Sequence, residues 1–165
     1  MCWVELMAVI EMEQKQVRGI EKLNDPNVHA TARMLFMRVL DELVSLGYNP
    51  VVVEVYRSPK KQRMLYAQGR SEQQLLAKGY TKGEIESYRK LGYTADKRKV
   101  SYTLSSMHSR GRAMDIAWWE NGKLTYDVPD SLWRLYGSIA RKHGLVWGGD
   151  WKTFVDRPHV EYRGE

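Results

Sequence analysis

Two short stretches hold most of the residues in this chain that could do chemistry. The first is Ser106-Met107-His108-Ser109-Arg110-Gly111-Arg112-Ala113-Met114-Asp115-Ile116, with a histidine, a glycine and an aspartate in order. The second is Asp156-Arg157-Pro158-His159-Val160-Glu161, with an aspartate three residues ahead of a histidine. Two imidazole nitrogens and one carboxylate oxygen form a donor set that suits zinc and leaves a fourth position for water. On this reading His108, Asp115 and His159 are the candidate ligands. Asp156 stands beside them, able to take a proton from water and hand it to a leaving amine. Each residue alone has an ordinary alternative as a hydrogen-bond partner on a strand. Two such motifs, drawing on two of only four histidines, favour the metal. His29 and His143 fall within helical patterns with no carboxylate motif beside them and read as structural, His143 as a partner for its helix C-terminus. The single cysteine, Cys2, excludes an intrachain disulfide and a Cys-based zinc site.

The elements that must position these groups follow from periodicity. Alternation along Ala113–Trp119 predicts a strand with Ala113, Asp115 and Ala117 on one face and Met114, Ile116 and Trp118 on the other. A charged Asp among apolar strand residues is costly unless a partner compensates it, and a divalent ion is one such partner. Pro158 stiffens the approach to His159, which opens a last strand, His159–Tyr162. Asn121-Gly122 predicts a hairpin turn into Leu124–Tyr126, and Leu145–Trp147 predicts another short strand. Val51–Tyr56 is β-branched and reads as a strand ending at Arg57, and Val100–Thr103 as one more. Val9–Leu23 is weakly helical, with Val17, Ile20 and Leu23 three apart. Asp25 is expected to cap a helix that opens at Pro26, carries an apolar stripe from Val28 to Leu46 and stops at Gly47. Ser58-Pro59 starts a helix ending at Gly69. Ser71–Gly92 reads as two short helices, the second opened by a Thr81/Glu84 capping box. Asp130 caps a helix closed by Gly144. Helices first and a mostly antiparallel sheet afterwards make an α+β layout.

At 165 residues, with 43% hydrophobic and 28% charged, the chain is expected to form one domain, residues 1–165, with N-terminal helices over 1–50. A net charge of +6 favours an anionic partner, with nucleic acid, teichoic acid, lipopolysaccharide and peptidoglycan all open. The apolar start is bounded by Glu5 and Glu11 and lacks a basic leader, so neither a secretory signal nor membrane insertion is expected.

Taken together, these motifs resemble the D-alanyl-D-alanine and L-alanyl-D-glutamate peptidases, whose superfamily includes lysostaphin-type enzymes and the Hedgehog signalling domain. The resemblance runs from about Val51 to Glu161. It rests on the two motifs above, on Val55-Tyr56-Arg57-Ser58, on Gln62 with Leu65-Tyr66 and Gly69-Arg70, and on Trp147-Gly148-Gly149-Asp150-Trp151. It is nearest to phage endolysins of the alanyl-glutamate type, which also carry Asp at the place of Asp156. It implies a Hedgehog/DD-peptidase-like fold, a Zn2+ ion on His108, Asp115 and His159, and Asp156 as catalytic acid/base. It places Arg57 where an arginine steadies a developing oxyanion; the alternative is a structural ion pair at a strand end. Ser106 becomes a candidate for orienting His108 or binding a substrate carboxylate, against plain loop hydrogen bonding, and Gln62 a candidate substrate contact. The helical segment 71–99 is an insertion relative to simpler relatives, expected to flank the cleft or else to be a solvated hairpin. Trp147 and Trp151 are expected in the core or the cleft wall.

The function so implied is hydrolysis of peptidoglycan stem peptides by an L-alanyl-D-glutamate endopeptidase acting as a phage endolysin. Such an enzyme would be a monomer made in the host bacterial cytoplasm and reach the periplasm or wall with the help of a holin. The alternatives are a D-Ala-D-Ala carboxypeptidase or dipeptidase of the same fold, and a zinc-retaining, non-catalytic wall-binding module. A nucleic-acid binder is disfavoured, because no such motif is present and the lysines are diffuse.

Overall fold

A computed structural model describes residues 17–164. The apolar start and the first part of the pattern from Val9 lie outside the described residues. The chain divides into two compact units, Met1–Tyr56 with Arg110–Glu165, and Arg57–Ser109.

The first unit is a small sheet backed by two helices. Strands β1 (Pro50–Glu54), β2 (Ala113–Glu120), β3 (Lys123–Thr125), β4 (Val146–Trp147) and β5 (His159–Glu161) pair antiparallel in the order β1-β2-β5-β4, with β3 also on β2. The expected division of β2 holds. Met114, Ile116 and Trp118 join the main core with Val52 and Val160, while Asp115 faces away and remains partly exposed. Helix α1 (Ala30–Ser45) buries Ala32, Phe36, Val39, Leu40 and Leu43. Helix α5 (Asp130–Lys142) buries Leu132, Trp133, Tyr136, Ile139 and Ala140 in the same cluster. Each large apolar side chain so buried contributes about 1.5–3 kcal/mol before the entropy of ordering it. Asn121 and Gly122 both adopt positive φ, the backbone a tight β2–β3 hairpin requires.

Four local expectations are corrected. Asp130 is the first residue of α5 rather than its cap; the N-cap position is Pro129, and no side chain caps it. α1 opens at Ala30, not Pro26, because Asp25 turns the chain instead: its carboxylate accepts from the Asn27 N–H at 2.8 Å and its carbonyl from Val28 at 3.0 Å. Ile20–Asn24 is a 3-10 helix, whose period sets Ile20 and Leu23 three apart, while Val17 lies ahead of it. Val100–Thr103 is not a strand, since Ser101 Oγ and the Thr103 carbonyl are taken by the amide of Gln62.

The second unit is helical: α2 (Pro59–Ala67), α3 (Glu72–Leu76) and α4 (Lys82–Lys90). Ser58 caps α2 as expected, and capping boxes open both α3 (Ser71/Gln74) and α4 (Thr81/Glu84). Its separate core is Tyr66, Ala67, Leu75, Tyr80, Ile85 and Tyr88. The Arg63 guanidinium lies 3.9 Å from the Tyr80 ring centre, and that of Arg70 lies 3.6 Å from Tyr66. This unit carries twelve Lys and Arg against four Asp and Glu, a net of +8; the rest of the chain carries fourteen against sixteen.

A charge cluster ties α1 to the end of α5. Glu42 on α1 binds Lys142 Nζ at 2.8 Å and His143 Nε2 at 2.8 Å. These hydrogen bonds, Lys142 first, hold the Glu42 carboxyl below its ordinary value of 4.5. A depressed folded-state pKa contributes stability above the unfolded value, and that stability is lost as pH falls through the folded one. Glu42→Gln is therefore expected to lower Tm slightly at pH 7. The gap from wild type should close in acid below the ordinary carboxylate range, as followed by circular dichroism melts across pH.

Candidate metal centre

Strand register builds most of the site. On β2 and β5, Asp115 stands directly opposite His159, so both side chains leave the same face of the sheet. Asp115 Oδ1 lies 2.9 Å from His159 Nδ1. His108 lies in a single 3-10 turn, Met107–Arg110, and is 3% exposed. One ligand atom from each of His108, Asp115 and His159 falls within 4.8 Å of the other two. Two nitrogens and one carboxylate oxygen gathered at that range fit a zinc ion in both chemistry and spacing.

The loops around these residues are held by backbone contacts. The His108 carbonyl accepts from the Arg57 N–H at 3.1 Å, and its own N–H donates to Ser106 Oγ at 3.2 Å. Gly111 has φ +62°, and a Cβ there would meet the Asn27 carbonyl oxygen at 1.9 Å. Its own carbonyl accepts from the His29 N–H at 3.0 Å. The glycine of the first motif thus lets the chain pass against the turn before α1. On the other side, the Pro158 carbonyl accepts from the Ile116 N–H at 3.1 Å and the Tyr136 hydroxyl at 3.3 Å, fixing the approach to His159.

Asp156 is placed by a second close approach. Its N–H donates to the Gly148 carbonyl at 3.0 Å, and its carbonyl accepts from the His159 N–H at 3.2 Å. A Cβ on Gly148 would meet the Asp156 carbonyl oxygen at 2.4 Å. Trp147 is buried, and its indole N–H donates to the Arg157 carbonyl at 2.8 Å. The Trp151 ring lies 5.1 Å from that of His159. Trp147 is thus a core residue that braces the Asp156 loop, and Trp151 is a wall beside His159. His143 sits at the C-cap of α5 as a partner of Glu42. His29 precedes α1 and packs against Tyr162.

The field around the site is negative. Burial alone would lower the His159 pKa, but its hydrogen bonds to Asp115 and Glu161 raise it to about 9. Burial raises the Tyr126 and Tyr136 hydroxyls, with Asp115 and Asp156 pushing the same way. Glu161 is 4% exposed. Burial alone would raise its carboxyl, but bonds from His159 and Arg163 outweigh that and hold it below its ordinary value. No role was read for Glu161 from sequence, although its place two residues beyond His159 on one strand put it on the same face.

Arg57 and Gln62 form their own group. Arg57 Nη1 donates to Gln62 Oε1 at 2.8 Å, and Gln62 Nε2 donates to Ser101 Oγ at 2.8 Å and to the Thr103 carbonyl at 2.6 Å. Gln62 is fully buried and its amide is saturated within the chain, so it orients Arg57. Ser106 Oγ accepts from the backbone N–H of His108 two residues on, the local loop hydrogen bond that was the alternative to a role toward the His108 ring or a substrate.

The fold is shared with solved structures of cell-wall peptidases. The Serratia marcescens L-Ala D-Glu endopeptidase ChiX superposes with a TM-score of 0.53 at 23% identity, covering 87% of this chain and 85% of that one. The vancomycin-resistance D,D-pentapeptidase VanY, solved with Zn(II), superposes at 0.51 and 19% identity over 83% and 73%. In sequence, residues 99–162 match the family model described as D-alanyl-D-alanine carboxypeptidase. The peptidoglycan L-alanyl-D-glutamate endopeptidase CwlK of Bacillus subtilis is 33% identical over 123 residues, 70% of this chain and 61% of CwlK. The chain thus spans less than two thirds of that relative. Over residues 99–162 it resembles this family of peptidases.

Gly111→Ala would force a Cβ into backbone at a positive φ. It is expected to cost about 1–3 kcal/mol of stability and to weaken zinc uptake by displacing the turn that carries His108. Thermal melts and zinc titration check both.

Proposed function

We propose that this chain is a zinc-dependent peptidase that cuts the L-alanyl-D-glutamate bond of peptidoglycan stem peptides. The observation that carries the reading is the gathering of His108, Asp115 and His159 within 4.8 Å, with Asp156 clipped three residues ahead of His159. The printed activities of CwlK and ChiX name the same bond.

His108, Asp115 and His159 would hold the ion. When bound, zinc would supply Lewis acidity and lower the pKa of a water toward neutrality. Asp156 accepts the proton of the attacking water and returns it to the leaving nitrogen. Arg57, held by Gln62, offers a fixed guanidinium to charge that develops on the scissile carbonyl oxygen. Ser106 keeps the His108 turn in place. Trp151 walls one side of His159.

The setting we infer is that of a phage endolysin that reaches the wall through a holin, supported by Asp rather than Glu at position 156. Among the described residues no helix is long and apolar enough to cross a membrane.

Digestion of purified peptidoglycan with mass analysis of the new termini tests the reading. New amino-terminal glutamate is expected, lost with a chelator and restored by zinc. Release of terminal D-alanine would make the chain a carboxypeptidase instead, and zinc binding without any hydrolysis would make it a wall-binding module. Asp156→Ala should keep zinc and lose about 10²–10⁴-fold in turnover, whereas His108→Ala should lose both. Near-full activity in Asp156→Ala would remove Asp156 from the acid/base role.

A further inference from the structure

A neutral imidazole has one N–H and one lone pair, and only the lone pair can bind a metal. Which nitrogen of His159 is free for the ion therefore depends on what the other one meets. Nδ1 lies 2.9 Å from Asp115 Oδ1, a neighbour in the donor cluster with His108. Nε2, at the far side of the ring, lies 3.0 Å from Glu161 Oε2. We propose that Glu161 is the positioning residue of the metal centre: it takes the Nε2 hydrogen of His159 and so turns the Nδ1 lone pair toward the ion. This rests on the reading that His108, Asp115 and His159 hold zinc.

The placement is built by the strand. His159 and Glu161 are alternate residues of β5 and share its face. Glu161 stands opposite Ala113 on β2 and Val146 on β4, and the small Ala113 leaves room for the carboxylate. Its side chain is only 5% exposed. A buried carboxylate is costly unless both oxygens are satisfied. Here Oε2 meets His159 and Oε1 accepts from Arg163 Nε, whose side chain is 61% exposed. Residues 159, 161 and 163 thus form a relay of alternate positions, from solvent-exposed cation through buried anion to ligand. Because Glu161 faces the nitrogen turned away from Asp115, it supports the ligand without sharing the ion. A hydrogen-bonded carboxylate behind a ligating imidazole fixes the ring and raises its basicity, and losing it weakens metal binding about 10–100-fold.

The test is zinc affinity of the full chain, measured by competition with a chromophoric chelator and free of any activity assay. Glu161→Gln keeps shape and an acceptor but removes the charge; Glu161→Leu removes the acceptor too. The expected order is wild type, then Gln, then Leu, with a loss of about 10–100-fold for Leu. One ion per chain should be kept throughout, together with the Co(II) absorption bands of the wild-type site. If Leu fails to fold, the Gln variant decides alone. Affinity within twofold of wild type in Glu161→Gln and Glu161→Leu would overturn the role, as would complete loss of the ion, which would make Glu161 a ligand. Wild type that takes up no zinc would overturn the metal centre itself, a result distinct from normal uptake with unaffected variants.

Discussion

Three residue pairs between β2 and β5 set Ala113 against Glu161, Met114 against Val160 and Asp115 against His159. The side-chain period of a strand is two, so a slip of one residue would send every group to the opposite face. In the observed register Met114 and Val160 enter the core, and Asp115 and His159 meet on the other side. The packing that stabilises the sheet and the pairing that brings the candidate ligands together are therefore one constraint. A core substitution that loosened Met114 or Val160 would reach the site through the register.

Around that pairing, the chain uses backbone contacts where side chains would be too long. Gly111 lets the first motif touch the turn at Asn27, and Gly148 lets the Asp156 loop fold onto the strand that precedes it. Trp147 fills the space beside Gly137 and Gly149 and ties the same loop through its indole N–H. Groups that need geometry good to a fraction of an ångström thus sit on segments anchored at both ends.

Much of this was legible in the sequence because it was local. The alternation around Asp115, the Asn121-Gly122 turn, the Ser58 cap and the Thr81/Glu84 box each depend on residues a few positions apart. The family motifs named the four acid and histidine residues of the candidate site. Long-range satisfaction was not legible. Gln62 reaches Ser101 across 39 positions, and that contact draws Val100–Thr103 out of strand form. Asp25 carried the signature of a cap but spends its carboxylate on a turn. Glu161 stands within a motif, yet the role proposed for it depends on the ring orientation of His159, which spacing does not encode.

The uneven distribution of charge has a further consequence. Arg57–Ser109 carries net +8, while the remainder of the chain is slightly acidic. A divalent cation is drawn to carboxylate-rich surroundings and a polyanion to the opposite, and one evenly basic surface would repel the first while attracting the second. On the proposed function, that segregation would let a single small chain attract both. Added salt would then act on the two attractions unequally: screening reaches about 8 Å at physiological ionic strength. On the proposed function, residence on a charged polymer should fade well before an ion on the candidate ligands His108, Asp115 and His159 is released.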